Sequence, residues 1–466
     1  MRHSVPIILA GVLALTSVNR AADNDSLGAK IDGFVKAEMD RQHVPGVAIA
    51  VVKDGQVLKI EGYGLANVEH QVPVTPETIF QSGSLGKQFT AAGIMLLVQD
   101  GNLALADPIT KFFPDAPATW QPITIRHLLT HTSGIPDYTD STFDYRRDYT
   151  EDELAHMAYA LKLEFPAGAR WNYSNTGYVL LGIVMHKLTG QFYGDLLTER
   201  VFKPAGMKTT RVISEEDIIP HRAGGYRWVD GALKNQEWVS PRLNTTADGS
   251  LYFSVRDLLA WDAVVTSRRV LSDDSWKQVF TPVRLNSGRT YPYGFGWGVS
   301  ERAGRPLHEH GGSWQGFKTQ YSRFVGDKLS VIVLANLAQA DPAVLADGIA
   351  AIVNPALARR PPRPITDSDP PVTERVRRLI EQTRAGNLSP EDFAYVRAGF
   401  FPDAPKRYAK MLAEAGALQK LELLDRSERG DDRLYLYRLT FNDRTLLLAI
   451  SIAPDDRLAQ FSLARE

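Results

Sequence analysis

Val47-Ala48-Ile49-Ala50-Val51-Val52, then Lys53-Asp54-Gly55, then Val57-Leu58-Lys59-Ile60, is the stretch on which the fold turns. Asp-Gly between two apolar runs is a hairpin signal, because both residues accept the backbone that a tight two-residue turn needs. Far downstream the pattern returns as Gly316 to Phe324, Gly326-Asp327 and Leu329 to Leu334. Before the first hairpin, Ile31, Phe34, Val35 and Met39 recur at helical spacing, which predicts an amphipathic helix over about 28–42. After the second, Asp341-Pro342 supplies an N-cap and a first-turn proline for a helix to about Val353. The two ends mirror each other, and the middle, about 84–265, is rich in helical patterns. The predicted fold is α/β: one antiparallel sheet built from both chain ends, flanked by helices, with a mostly helical insertion.

Pro355, Pro361, Pro362, Pro364, Pro370 and Pro371 fall close together, mixed with Arg and Asp. Proline this dense continues neither a helix nor a central strand, so 356–371 reads as a linker. Beyond it, helices are predicted near 372–386, 390–398 and 404–415. Two strand-like runs follow, 434–439 and 446–452, with Asn442-Asp443 at the turn between them. Residues 372–466 thus form a small α+β domain expected to fold by itself, behind a main domain over 23–355.

Composition narrows the function. Lys+Arg number 53 and Asp+Glu 54, for a net charge of −1, so no basic excess points to nucleic acid. The absence of cysteine removes disulfides, thiolate chemistry and zinc–cysteine sites. Met1-Arg2-His3 followed by an apolar run from Val5 to Val18 and by Ala21-Ala22 reads as a secretory leader over 1–22. The run is shorter than the roughly 20 residues that span a bilayer. The expectation is an exported protein, periplasmic or secreted, with no membrane span in the mature chain; an uncleaved anchor is the other reading.

Ser84-Leu85-Gly86-Lys87 opens an apolar helix that runs to Asp100-Gly101. Residues three apart share a helix face, and the helix start favours developing negative charge. A serine hydroxyl is a weak nucleophile until a neighbouring base takes its proton, and a poorly solvated lysine can be that base. Further along stand His127 to Pro136, then Trp171-Asn172-Tyr173-Ser174-Asn175, then His308-Glu309-His310-Gly311-Gly312-Ser313. In the last of these the glycines suggest close approach of a substrate to the backbone. His127 with His131, and His308 with His310, have metal-like spacings. Neither pair carries the remaining ligands of a zinc site, so no metal and no cofactor is expected, and His127 and His131 read as packed, hydrogen-bonded loop residues.

Ser84-x-x-Lys87, Tyr173-x-Asn175 and His310-Gly311-Gly312 resemble, in order, the three motifs of the serine β-lactamase and penicillin-binding-protein superfamily. The class C-like branch, with its D-aminopeptidases, DD-peptidases and esterases, is the most similar. Phe80 to Ser84, Pro204 to Met207 and Tyr293 to Trp297 look like the same branch, and the resemblance spans about 27–355. It implies a β-lactamase/transpeptidase-like fold. It also implies Ser84 as acylated nucleophile, Lys87 as its base or proton relay, and Tyr173 as base for the deacylating water. Asn175 would bind Lys87 and substrate, and the backbone N–H groups of Ser84 and Ser313 would form the oxyanion hole. His310 and Gly312 would line the substrate.

The third motif departs from the Lys-Thr-Gly usual in β-lactamases. A fixed cation becomes an imidazole, mostly neutral at pH 7 and able to donate one hydrogen bond. The resemblance then implies cleavage of a small ester or a D-amino-acid-type amide or short peptide. A true β-lactamase or DD-carboxypeptidase is the alternative, as is a weakly catalytic protein that recognises peptidoglycan-like peptides. Oligomeric state is open.

Overall fold

The computed structural model describes residues 9–138, 143–241, 243, 246–394 and 400–466. The chain divides into two compact units. The first takes the chain up to Gln99 with Gln191–Phe280 and Gly296–Arg359; the second takes Asp100–Gly190, Thr281–Phe295 and Arg360–Glu466.

The first unit is built on a seven-stranded sheet. Its strands are β1 (Gly46–Lys53), β2 (Gln56–Asn67), β3 (Val72–Pro73), β4 (Gly298–Arg302), β5 (Arg305–Trp314), β6 (Phe317–Phe324) and β7 (Leu329–Ala335). Their spatial order is β4-β5-β6-β7-β1-β2-β3. The two hairpins meet antiparallel at the centre, with Val47 opposite Ala335 and Lys53 opposite Leu329. The sheet expected from both chain ends is therefore present. β1 is buried along nearly its full length because both faces are covered. Val47, Ile49 and Val51 pack with Ile31 and Val35 of the helix Leu9–Gln42 and with Leu345 and Ile349 of the helix Pro342–Val353. Asp341 caps the latter, its carboxylate accepting from the N–H groups of Ala343 and Val344. Met1 to Ile8, which contain the charged start of the leader, lie outside the described residues. Among the described residues no helix is long and apolar enough to cross a membrane.

The helix Val255–Ser267 is pinned to the sheet by a buried carboxylate. Asp262 Oδ1 accepts from Tyr321 Oη at 2.6 Å, Ser330 Oγ at 2.6 Å and Arg323 Nε at 3.1 Å. Nothing in the local sequence of Asp262 announces this, because all three donors arrive from β6 and β7.

The second unit holds the helix Asn175–Thr189, the short strand pair Val283–Arg284 and Thr290–Tyr291, and the C-terminal residues. The last strands form a meander of Lys420–Arg429, Asp432–Thr440, Thr445–Ile452 and Leu458–Arg465. Its core joins Val376 and Ile380 of the helix Pro370–Arg384, Leu412 of the helix Asp403–Ala415, and Tyr437, Leu448 and Phe461 of the strands. Two boundaries differ from expectation. Pro370 and Pro371 open a helix instead of closing the linker, since the first turn needs no proline N–H. Pro390–Asp392 makes a single 3-10 turn, and the rest of the helix expected to 398 falls largely on 395–399, outside the described residues. The C-terminal residues also share their compact unit with 100–190 and 281–295.

Asp262→Ala should strand two buried hydroxyls and a partly buried guanidinium. Urea unfolding is expected to show a loss of about 3–5 kcal/mol, the cost of breaking a buried pair by removing one partner.

Candidate active site

Ser84 sits in a 3-10 turn, Gly83–Gly86, that runs directly into the helix Lys87–Gln99. Every residue of that helix from Lys87 to Leu97 is buried, as its all-round apolar sequence requires. Lys87 has no exposed surface, and its Nζ donates to Ser84 Oγ at 3.1 Å and to the Asp248 carbonyl at 2.5 Å. The loop around Asp248 holds the turn at further points. Thr90 Oγ1 donates to the Ala247 carbonyl at 2.6 Å, and Ser82 Oγ to the Gly249 carbonyl at 2.7 Å.

β5 closes the other side of the turn. Thr319 of β6, opposite Gly312, donates its hydroxyl to the Ser82 carbonyl at 2.8 Å. A Cβ added at Gly312 would stand 2.0 Å from Ser82 O and 3.0 Å from Leu85 N. The glycine read as room for a substrate thus makes room for the nucleophile's own turn. A Cβ on Gly83 would stand 2.3 Å from Ser313 N, so the Ser313 amide lies beside the residue that precedes Ser84.

His310 is buried on β5, with Nδ1 2.6 Å from the Gly311 carbonyl. A nitrogen facing a carbonyl carries the proton, so Nδ1 donates and Nε2 is the acceptor nitrogen. The donor expected from this imidazole is committed to its own backbone. Burial first, and then the nearby Lys87, push its pKa down to about 4. His308, stacked on Phe280, is pushed down to about 4 by burial and by Arg323.

Tyr173 and Asn175 belong to the second unit. Tyr173 lies in an irregular stretch before the helix Asn175–Thr189, which Ser174 caps by accepting the Gly177 N–H. Asn175 donates Nδ2 to Asp137 Oδ2 at 2.9 Å and its backbone N–H to the same oxygen at 3.2 Å. The Tyr173 ring packs on His131, centroids 4.2 Å apart. His131 Nδ1 accepts the Ser174 N–H at 3.2 Å, which puts the ring proton on Nε2, facing Tyr293 Oη at 3.2 Å. Burial first, and then the neighbouring phenols Tyr178 and Tyr173, raise the Tyr293 hydroxyl well above its ordinary range. His127 instead closes a capping box with Thr124. His127 and His131 are hydrogen-bonded as expected, but His127 lies within the helix Ile125–Leu129 and not in a loop. Sequence reasoning missed His131, Tyr293 and Asp137 as supports of the Tyr-x-Asn segment, and Asp248 as the acceptor of Lys87, because a backbone carbonyl leaves no mark in a sequence.

Two expectations follow from the geometry. Gly312→Ala should fold but displace the Ser84 turn, and an ångström of misplacement costs about a hundredfold in kcat/KM with any substrate turned over by wild type. The two depressed histidines set a pH dependence of stability. Between about 6.5 and about 4 the unfolded chain binds more protons than the folded one, so stability falls as pH falls through that window. Thermal scans should show a shallower decline over it for His308→Phe than for wild type.

Comparison with known proteins agrees with this geometry. The Beta-lactamase family profile matches residues 31–354. Penicillin-binding protein 4* of Bacillus subtilis is 32% identical over 316 residues, covering 64% of this chain and 69% of that protein. The D-aminopeptidase of Gluconobacter oxydans is 30% identical over 322 residues, 67% of this chain, which spans only 60% of that relative. Among solved structures, the D-amino acid amidase of Ochrobactrum anthropi superposes with a TM-score of 0.61 at 26% identity, covering 71% of this chain and 97% of its own. The octameric penicillin-binding protein homologue of Pyrococcus abyssi has a TM-score of 0.63 at 25% identity, covering 94% and 98%. The chain belongs to the β-lactamase family and is a serine hydrolase of that fold.

Proposed function

We propose that this protein is an exported serine hydrolase that forms an acyl-enzyme on Ser84 and cleaves a small ester or a D-amino-acid-type amide or short peptide. The observation that carries the reading is the buried Lys87 amine 3.1 Å from Ser84 Oγ. In the acylation step Ser84 Oγ bonds to the substrate carbonyl carbon and Lys87 accepts its proton. The carbon–oxygen or carbon–nitrogen bond to the leaving group then breaks, and the leaving group takes a proton. The N–H groups of Ser84 and Ser313 stabilise the oxyanion. In deacylation Tyr173 takes a proton from water, the water oxygen bonds to the acyl carbon, the bond from that carbon to Ser84 Oγ breaks, and the proton returns to Ser84 Oγ. Asn175, held by Asp137, orients the substrate.

The similarity to proteins named D-aminopeptidase and D-amino acid amidase supports the amide. So does His310, neutral above about pH 4, which brings no fixed charge for a substrate carboxylate. The similarity to penicillin-binding protein 4* favours a second reading, β-lactam or DD-peptide recognition, with weak turnover.

Ser84→Ala should fold normally and lose all covalent labelling by a fluorophosphonate; stoichiometric labelling of the variant elsewhere would reject the nucleophile. Wild type should turn over short p-nitrophenyl esters and D-amino-acid amides well and nitrocefin poorly. A charge-assisted hydrogen bond exceeds a neutral one by about 1–2 kcal/mol. His310→Lys is therefore expected to raise nitrocefin kcat/KM about five- to thirtyfold. Nitrocefin hydrolysed faster than every ester and amide would establish the second reading.

A further inference from the structure

Inside the second unit, the tip of the C-terminal hairpin Lys420–Arg429/Asp432–Thr440 lies against the strand pair Val283–Arg284/Thr290–Tyr291. The Gly430 N–H donates to the Thr290 carbonyl at 3.0 Å. Gly430 is buried at φ +60°, and a Cβ there would stand 2.9 Å from Leu285 Cδ1 and 3.4 Å from Tyr291 Cδ2. On either side, Glu428 pairs with Arg289 at 2.6 Å and the Arg429 guanidinium lies 6.0 Å from the centre of the Tyr291 ring. A β-branched side chain at the centre of the tip would be strained at this positive φ and would press on Leu285 and Tyr291, so glycine suits the position.

Tyr291 passes the contact on. Its ring stacks on Trp171, centroids 4.1 Å apart and planes within 9°. Trp171 stands two residues before Tyr173, their rings 6.3 Å apart. Residues 171–174 belong to no helix or strand, so no backbone ladder fixes Tyr173. Its ring packs against His131 on one side and, through Trp171 and Tyr291, reaches the hairpin tip, while the flanking Asn172 and Ser174 N–H groups donate to the His131 carbonyl and Nδ1. The approach to this stretch is tied to the same strand pair: Asn286 donates its N–H to the Gly168 carbonyl and its Nδ2 to the Ala167 carbonyl, both at 2.9 Å.

We propose that Gly430 and Arg429 are positioning residues of the reaction. The C-terminal hairpin tip holds Tyr291 on Trp171 and so fixes where the Tyr173 phenol stands, which makes release of the acyl group, and not its capture by Ser84, depend on residues 420–440. The inference rests on Tyr173 being the base of deacylation.

Full-length Gly430→Val, Arg429→Ala and Arg429→Lys test it with three measurements: hydrogen exchange of the peptide 168–175, the rate of Ser84 labelling by a fluorophosphonate, and the decay of the acyl-enzyme isolated after reaction with a short p-nitrophenyl ester. Gly430→Val should raise exchange over 168–175 and slow acyl-enzyme decay at least about tenfold, while labelling stays within about threefold. Arg429→Ala should move the same two readouts in the same direction, and Arg429→Lys should restore them. Wild-type exchange and decay in both Gly430→Val and Arg429→Ala would overturn the proposal, as would labelling and decay slowing together. If Gly430→Val does not fold, the exposed Arg429 decides by itself. If wild type is not labelled at Ser84, the functional reading fails, and exchange still tests whether the tip holds this wall, with unchanged exchange in the variants overturning it.

Discussion

A lysine with no exposed surface is expensive to keep inside a protein, and the first unit is organised around meeting that cost. Lys87 lies at the start of a helix otherwise buried on all sides, so its amine must find acceptors from the protein. The loop around Asp248 supplies a carbonyl, and the same loop accepts from Thr90 and Ser82 on either side. These bonds fix the loop, the helix start and the Ser84 turn as one piece. β5 completes it, because Gly312 lets the strand lie against the Ser82 carbonyl. Ser84 Oγ is held before any substrate arrives, which is what the nucleophilic role proposed for it requires.

The Tyr-x-Asn segment is held by a different physics. Asn175 has a carboxylate partner in Asp137, the backbone of Ser174 has His131, and the Tyr173 ring packs among tilted aromatic neighbours. Hydrogen bonds are directional and lock a position; aromatic contacts tolerate sliding by fractions of an ångström at small cost. Ring packing of this kind transmits its wider surroundings, which is the route by which the hairpin tip is proposed to act on Tyr173.

What the sequence disclosed follows the same division. The central sheet was legible because each hairpin carries its own turn and its own apolar runs, and Ser84 with Lys87 because three-residue spacing on a helix is a local fact. Tyr173 and Asn175 were legible only as a motif in order with two others, since nothing local distinguishes them from a turn before a helix. Asp262, Asp137 and His131 could not be assigned their partners, because each is defined by groups 38 to 162 residues away. Gly312 announces close approach, and the Ser82 turn is one of the groups that approach it. The proline-dense linker signalled separation, whereas residues 360–466 group with 100–190 and 281–295, to the latter through contacts such as Gly430 on Thr290, invisible until the hairpin is folded.

The third motif shows how a small substitution redirects chemistry. A lysine offers charge and donors at any physiological pH. His310, with Nδ1 committed to the Gly311 carbonyl and its protonation suppressed by burial and by Lys87, offers an acceptor nitrogen instead. A charged imidazole beside Lys87 would raise the cost of burying either group, so the neutrality of His310 also suits the buried Lys87 amine. A position without a fixed cation withholds the partner that a substrate carboxylate would bind most strongly, and this is the physical ground for the uncharged ester or amide proposed above.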